Sequence, residues 1–342
     1  MGATVTSKWA APLLVVTTIG AALLYLGIAR EQPGFGALLQ WLGSWSGGEG
    51  PDRTAAFTFA NIRLPRLLLA AFGGAALAMA GTVMQATFRN PLASPDLVGT
   101  AAGAAFGGAL AIVCGQSQLG IEVTPLLSLA GALVVTSLMF VLANAHGRFA
   151  IATLLLAGIA LNTLVGALTS FVVTFTFSNY TASSQVLFWL MGGLERSTWE
   201  HAVITMVGCA VFGVLAYLQR RELDVLTLHD DVAHSLGVRT DSARRRLVWC
   251  ACGLTATTVC NTGGIAFLGL IVPHLARFVV GPSHRRLLPA AAVLGALVLV
   301  GSDWVCRLVP PDWNLRLGVV TSLLGTPYFL WLLVRHRRGE AL

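Results

Sequence analysis

Residues Leu97–Ile121 read LVGTAAGAAFGGALAIVCGQSQLGI and contain no charged side chain. A helix needs about 20 mostly apolar residues to cross the hydrocarbon core of a bilayer, so this stretch is long enough to span a membrane. Its many glycine and alanine residues favour tight helix packing, because small side chains let helix backbones approach one another closely in lipid. The stretch therefore predicts a transmembrane helix that packs closely against its neighbours.

Eight further charge-free stretches extend this pattern along the chain. Phe149–Leu194 is long enough for one span and a polar, aromatic extension. Leu247–Ala276 is interrupted at Asn261–Gly264, which predicts one span followed by a short helix. We expect an all-α membrane protein with about ten transmembrane helices in a single domain over residues 1–342. The other stretches are Trp9–Ala29, Leu67–Phe88, Val123–Ala145, Ala202–Gln219, Leu287–Ser302 and Leu317–Val334.

The composition excludes two other classes of protein. Hydrophobic residues make up 56% of the 342 positions, and charged residues only 11%. Soluble globular domains carry about 25% charged residues. Disordered chains combine low hydrophobicity with high charge, which is the opposite of this composition.

The distribution of basic residues predicts the orientation of the spans. If the N-terminus lies inside and the spans alternate, 15 of the 22 Lys and Arg residues fall on the inner side. Cytoplasmic loops carry such an excess, so both termini are expected in the cytoplasm. Anionic membrane lipid then accounts for the net charge of +7, and no nucleic-acid partner is expected.

The longest segment on the expected inner side covers residues 220–246. Within it, His229–Val238 predicts a short amphipathic helix with acidic residues at its start and Gly237 as its C-cap. Such a helix either lies on the membrane surface or docks onto a cytoplasmic partner. The acidic start disfavours an anionic lipid surface and so favours docking.

The sequence contains no motif for catalysis. No Gly-x-x-x-x-Gly-Lys-Ser/Thr phosphate-binding loop occurs, and no His, Cys and carboxylate cluster has metal-ligand spacing. We therefore expect no enzyme activity, no cofactor and no metal site. Asp303 is the only acid well inside a span, whereas ion-coupled carriers usually need several such groups. An ion-coupled secondary transporter is thus disfavoured. A pure membrane scaffold is also disfavoured, because the interruption at Asn261–Gly264 places irregular backbone at membrane depth, where it normally lines a cavity.

Seven motifs lie in order and at consistent spacing over nearly the whole chain. They are Arg63–Arg66 (RLPR), Gly81–Gly99 (GTVMQATFRNPLASPDLVG), Leu154–Gly158 (LLLAG), Phe188–Leu194 (FWLMGGL), Gly263–Arg277 (GGIAFLGLIVPHLAR), His284–Pro289 (HRRLLP) and Gly318–Leu330 (GVVTSLLGTPYFL). Together they resemble one family, the FecCD permeases, which are the membrane subunits of ABC importers for ferric siderophores, heme and vitamin B12.

This resemblance implies a type II ABC importer permease fold of ten helices in a bacterial inner membrane. It implies a homodimer with the transport path between the two copies, a pair of cytoplasmic ATP-binding subunits and a periplasmic solute-binding protein. Ferric siderophore is the first expectation for the cargo because it is the commonest in the family. Heme and vitamin B12 are the alternatives within it.

The resemblance also assigns roles to particular residues. Arg63, Arg66 and Arg307 resemble the outer arginines that receive acidic residues of the binding protein. The alternative for such residues is that they extend to lipid headgroups. Asn90, Pro91 and Leu92 lie in the loop that narrows the inner mouth of the path.

A second family constriction lies near Ile151 and Ala152, where this chain has apolar rather than small polar residues. Leu223–Val238 resembles the loop that couples the permease to the ATPase. Trp313–Leu317 departs from the family, which usually has Glu-Leu-Pro there, so Arg316 is expected to add a fourth outer charge. The expected coupling contacts are Leu228, Asp230, Asp231, Ser235, Leu236 and Gly237.

Overall fold

The computed structural model describes residues 17–18, 20–22, 25–26, 57–114, 123–144, 151–176, 180–228, 230–235 and 237–337. Within these ranges the chain forms helices joined by turns, without a β-strand. A π-helical turn at Phe59–Arg63 leads into the first helix, and short 3-10 turns lie at Pro95–Val98 and Pro311–Trp313. The helices are α1 (Leu64–Phe88), α2 (Thr100–Val113), α3 (Val123–Ala143), α4 (Ile151–Thr176), α5 (Tyr180–Leu190), α6 (Trp199–Leu218), α7 (Arg220–Leu226), α8 (Asp230–Ser235), α9 (Thr240–Thr262), α10 (Leu268–Val280), α11 (His284–Leu308) and α12 (Leu317–Arg337).

Nine of these helices coincide with the second to tenth predicted spans, which confirms the expected all-α membrane architecture. Five helical segments are long and apolar enough to cross a membrane by themselves, and α2, α10 and most of α12 are shorter apolar helices. The first predicted span, Trp9–Ala29, lies mostly outside the described residues. The seven residues described within it are all helical.

Helix α1 lies at the centre of the described bundle and packs against α6, α9, α10 and α11. It is buried over nearly its whole length because its sequence is rich in glycine and alanine. A Cβ atom on Gly74 would collide with the carbonyl oxygen of Gly295 in α11, and one on Gly81 would collide with that of Gly269 in α10. These two crossings therefore require glycine, and they bring the backbones of α10 and α11 against that of α1.

Two of the apolar helices are short, and each is preceded by a segment that is not α-helical. Helices α2 and α10 have 14 and 13 residues, so each is only about 20 Å long and falls short of a hydrocarbon core of about 30 Å. The segments that precede them provide the remaining length: residues 94–99, which include the 3-10 turn, and the irregular residues 263–267. Because α9 ends at Thr262 and α10 begins at Leu268, the predicted interruption of this span is confirmed.

A hydrogen bond from another part of the protein reaches the backbone at each of these two segments, as is favoured where water is absent. The side-chain amide of Asn162 donates a hydrogen bond of 2.8 Å to the carbonyl oxygen of Asp96. The backbone N–H of Gly193 donates to the carbonyl oxygen of Thr262, also at 2.8 Å. The start of α2 is thus held by α4, and the end of α9 by the segment that joins α5 to α6.

The crossing of α1 with α10 gives a direct test of this packing. We expect Gly81→Ala to destabilise the protein by about 1–3 kcal/mol, because its methyl group overlaps the backbone of Gly269. The matched control is Gly301→Ala in α11, where an added Cβ meets no atom within 4 Å. Thermal unfolding in detergent measures both variants. Equal unfolding temperatures would show that the α1–α10 backbones are not in close contact.

Candidate functional site

The predicted coupling segment folds as two short helices at one end of the bundle, which we call the loop end. In α7, Leu223 and Leu226 are fully buried in the core and anchor the segment to the bundle. Beyond them, Leu228 and Val232 remain 44% and 45% exposed. The segment therefore presents apolar side chains outward from a base that is fixed to the transmembrane helices.

The short helix predicted in the second half of this segment is present as α8. Gly237 follows it with φ of +77°, a left-handed conformation that suits glycine at a helix C-terminus. Leu228, Ser235 and Gly237 are exposed, as a docking surface requires. Leu236 and the side chains of Asp230 and Asp231 lie outside the described part of the structure.

The predicted inner-gate residues form a compact turn that follows α1. The side-chain oxygen of Asn90 accepts a 2.9 Å hydrogen bond from the backbone N–H of Leu92, and Pro91 lies exposed between them. The preceding residue, Arg89, donates from its Nε to the carbonyl oxygen of Leu226 at 2.7 Å. This bond joins the turn to the last residue of α7. No local sequence feature indicates this role for Arg89, because its partner lies 137 positions away.

The two residues near the second family constriction begin α4. Ile151 packs partly buried against the core, and Ala152 is exposed. Their different surroundings leave Ala152 as the more accessible of the two.

A second polar contact joins the coupling segment to the ninth predicted span. Asp224 of α7 accepts hydrogen bonds from the backbone N–H of His284 at 2.9 Å and from its Nδ1 at 2.6 Å. His284 is the first residue of α11, so the carboxylate lies at a helix N-terminus, where negative charge is favoured. Helix α7 is therefore hydrogen-bonded to Arg89, next to the Asn90–Leu92 turn, and to the start of α11.

The three arginines predicted to dock the binding protein lie together at the opposite end of the bundle. Arg307 donates to the carbonyl oxygen of Tyr25 at 3.2 Å, and its guanidinium lies 4.6 Å from the centre of the Tyr25 ring. Arg63 donates to the carbonyl oxygen of Leu26 at 3.1 Å. Two of the arginines thus bind consecutive carbonyl groups of the first predicted span.

Arg66 makes a different contact. It forms a two-pronged ion pair with Asp303, with N–O distances of 2.8 and 2.9 Å, and the hydroxyl of Tyr25 also donates to this carboxylate. The side chain of Asp303 is only 1% exposed and that of Arg66 17%. The acid that the sequence singled out is therefore the internal counter-charge of a predicted docking residue.

The interruption before α10 lines a cavity of about 740 Å³ beside α12. Gly264, Ile265 and Ala266 form one wall, and Leu190 and Met191 at the end of α5 contribute to another. The lining is mainly apolar, with Asp96, Ser322 and Thr326 as its polar side chains. Irregular backbone therefore borders a cavity, as expected for a membrane transport protein.

Comparison with known proteins agrees with this architecture. The family model of the FecCD transport family matches residues 12–335. The cobalamin import system permease protein BtuC of Halobacterium salinarum is 43% identical over 86% of this chain and 77% of its own length. The Fe(3+) dicitrate transport system permease protein FecD of Escherichia coli is 38% identical over 95% of this chain and 98% of its own.

A solved structure has the same fold. It shows an inward-facing conformation of a transporter assigned to the metal-chelate type of ABC transporter. The two chains superpose with a TM-score of 0.81 at 30% identity, over 94% of this chain and 97% of the other.

The helices, the interrupted spans and these similarities define a multi-pass ABC transporter permease. The chain belongs to the FecCD transport family. The expectation that it is a transport component and not an enzyme is confirmed, because the relatives are permease subunits.

The ion pair between Arg66 and Asp303 predicts a non-additive response to mutation. We expect Asp303→Leu to destabilise the protein by about 3–5 kcal/mol, because it leaves a largely buried guanidinium without its counter-charge. The double variant Asp303→Leu with Arg66→Met removes both charges and should recover much of that loss. Thermal unfolding of the purified protein measures both. A double variant as unstable as the single one would show that the pair does not carry this energy.

Proposed function

We propose that the chain is the permease subunit of a binding-protein-dependent ABC importer for a chelated iron compound. Family membership over nearly the whole chain carries this proposal. The two named relatives are permeases for cobalamin and for Fe(3+) dicitrate, and both of these solutes hold a metal ion within an organic ligand. Ferric siderophore is the cargo we favour, with heme and vitamin B12 as alternatives. Uptake of each by cells that contain the complete transporter decides among them.

The contacts of Asp303 support an external energy source. A carboxyl group that carries protons across a membrane must be able to lose its partner and take up a proton. Asp303 is instead held by Arg66 and Tyr25 and is almost fully buried. This contact argues against an ion-coupled secondary transporter and favours energy supplied by a pair of ATP-binding subunits.

The exposed surfaces of α4 and α12 support a homodimer with the path between the copies. Leu156, Phe171 and Phe175 on α4 are more than 60% exposed, and Leu323 on α12 is 67% exposed. The cavity of about 740 Å³ lies beside α12, next to the interrupted span. In a dimer closed by these faces, that cavity would border the path and Asn90–Leu92 would narrow its mouth at the loop end.

In this proposal the loop end faces the cytoplasm of a bacterial cell, and both termini lie on the same side. The opposite end then faces the periplasm, where Arg63, Arg66 and Arg307 would receive acidic residues of a solute-binding protein. Lipid surrounds the remaining apolar faces. Rim charges of this kind steer an oppositely charged partner and fix its register.

The coupling segment gives the first test of this function. We expect Asp230→Lys with Asp231→Lys to weaken recovery of the ATP-binding subunit in a pull-down, because the change reverses the charge at the start of α8. ATP hydrolysis and uptake by the reconstituted transporter should fall in parallel. The purified permease alone should hydrolyse no ATP.

The matched control is Asp312→Lys, an exposed acid at the opposite end of the bundle, which should leave recovery unchanged. If the double change at α8 has no effect on recovery or uptake, the segment is an interfacial helix rather than a docking element.

The outer arginines give the second test. Because Arg66 is engaged by Asp303 and Arg63 is only 6% exposed, we expect the docking charge to be carried chiefly by Arg307. Arg307→Glu should slow association with the binding protein, since like charges would then face each other. Added salt should slow the association of this variant less than that of the native chain, because salt screens repulsion as well as attraction. Surface-immobilised binding protein and reconstituted transporter measure both rates at low and moderate salt.

Arg285→Glu at the exposed start of α11 is the matched control for the charge change and should leave association unchanged. Arg66→Glu should reduce stability in detergent through its contact with Asp303. If the Arg307→Glu variant binds its partner at the native rate, Arg307 is a membrane anchor and not a docking residue.

A further inference from the structure

A second cavity, of about 510 Å³, lies at the end of the bundle opposite the coupling loops. The end of α2, the start of α3, α5 and the start of α6 surround it, together with the end of α9. It is separate from the cavity beside α12, since the two share no lining residue. Its size falls within the range of about 300–1,000 Å³ that is typical of small-molecule sites.

Asn261 lines this cavity with an orientation that the surrounding hydrogen bonds determine. Its Nδ2 lies 3.0 Å from the carbonyl oxygen of Thr257, which can only accept, so the amide nitrogen must point there. The same nitrogen donates to Thr205 Oγ1 at 3.0 Å, and that hydroxyl in turn donates to Thr257. The amide oxygen is left without a hydrogen-bond partner among the described residues, although the residue is only 8% exposed.

Two N–H donors in the cavity lining also lack a hydrogen-bond partner. Trp189 Nε1 and Arg316 Nε are both buried and have no hydrogen-bond partner in the described ranges. The other end of the Arg316 guanidinium pairs with Glu195 at 2.9 Å, and its Cζ atom lies 3.8 Å from the centre of the Phe188 ring. Arg316 belongs to the Trp313–Leu317 stretch, where the sequence departs from the family pattern, and these contacts fix its position.

Unsatisfied buried polar groups are costly, and each calls for a partner. Here two donors require an acceptor oxygen and one amide oxygen requires a donor. Charged side chains in the lining are Arg196, Arg316 and Glu195, which leaves one positive charge in excess. Ile112, Val123 and Phe188 contribute apolar surface to the same cavity, so an organic group fits it better than water alone.

We propose that this cavity binds an organic oxyanion that also carries a hydroxyl group. The oxyanion accepts hydrogen bonds from Trp189 Nε1 and Arg316 Nε, and the hydroxyl donates to the amide oxygen of Asn261. Contact with the ligand requires these side chains to rotate toward the cavity, because the three atoms are buried and Trp189 Nε1 packs against Gly108 of α2. The site is distinct from the proposed transport path and docking arginines, so it does not depend on the proposed cargo.

A phosphate with neighbouring hydroxyl groups has this chemistry, and it can come from a soluble molecule or from a lipid headgroup. The probes are therefore sn-glycerol 3-phosphate in solution and phosphatidylglycerol in nanodiscs. Phosphatidylcholine is the lipid control, because its headgroup has no hydroxyl donor and no net charge. Ligand-dependent thermal unfolding of the purified permease measures the first probe, and native mass spectrometry of retained lipid measures the second.

Substitutions at the two residues of the Arg316–Glu195 ion pair should change probe binding in opposite directions. Arg316→Gln removes a donor and a positive charge, and should weaken binding of either probe by about tenfold or more. Glu195→Gln removes the competing carboxylate and should strengthen binding several-fold. Both variants break the same ion pair, so a merely structural role would shift both in one direction. Trp189→Phe removes the N–H donor together with part of the ring and should weaken binding, while the opposite responses to Arg316→Gln and Glu195→Gln remain.

Arg286→Gln, an exposed charge at the loop end, is the control and should bind as the native chain does. Binding of either probe with the opposite responses of Arg316→Gln and Glu195→Gln supports the site, and the probe that binds identifies the source. The proposal is overturned if neither probe binds, which would mean hydration only, or if both variants change binding in the same direction. Neither result bears on uptake or on ATPase attachment.

Discussion

Every backbone polar group at membrane depth must find its partner inside the protein, and the rest of this structure depends on that constraint. The backbone departs from the α-helix within the bundle at residues 94–99 and 263–267, and neither segment could face lipid. Asn162 and Gly193 supply hydrogen bonds to these two regions from neighbouring segments. Such contacts require close helix packing, which the glycine crossings of α1 permit.

Much of the fold could be predicted from local sequence properties. Charge-free length located the spans, because lipid excludes charged side chains. The polar and glycine-rich break at Asn261–Gly264 located an interruption, and Gly237 located a helix end. These features act within a few residues of one another. Helix bounds were less accurate: α9 begins at Thr240, several residues before the charge-free stretch, because basic side chains near a helix end can extend toward the membrane surface.

The contacts of the candidate sites depend on residues far apart in sequence, and the sequence alone did not provide them. Asp303 was identified as an unusual buried acid, yet its pairing with Arg66 joins residues 237 positions apart. The pairing of Asp224 with His284 and the bond from Arg89 to Leu226 were missed for the same reason. The partner of Asp303 could have been predicted in outline, since a buried acid requires a counter-charge and Arg63 and Arg66 lie at the same end of their span as Asp303.

The contact between Asp224 and His284 has a mechanical consequence. Helix α11 begins at this contact and ends beside Arg307, so a single helix of 25 residues, about 37 Å long, runs from the coupling segment to the arginine cluster. Pro289 removes one backbone hydrogen bond near its start, and the helix continues without a break to Leu308, so a tilt at one end displaces the other. If α7 were displaced so that α11 tilted by roughly 5°, its far end would move by about 3 Å, comparable to the length of a hydrogen bond. A movement of α7 at one end of the bundle would thus shift the arginine cluster at the other end by about the length of one hydrogen bond.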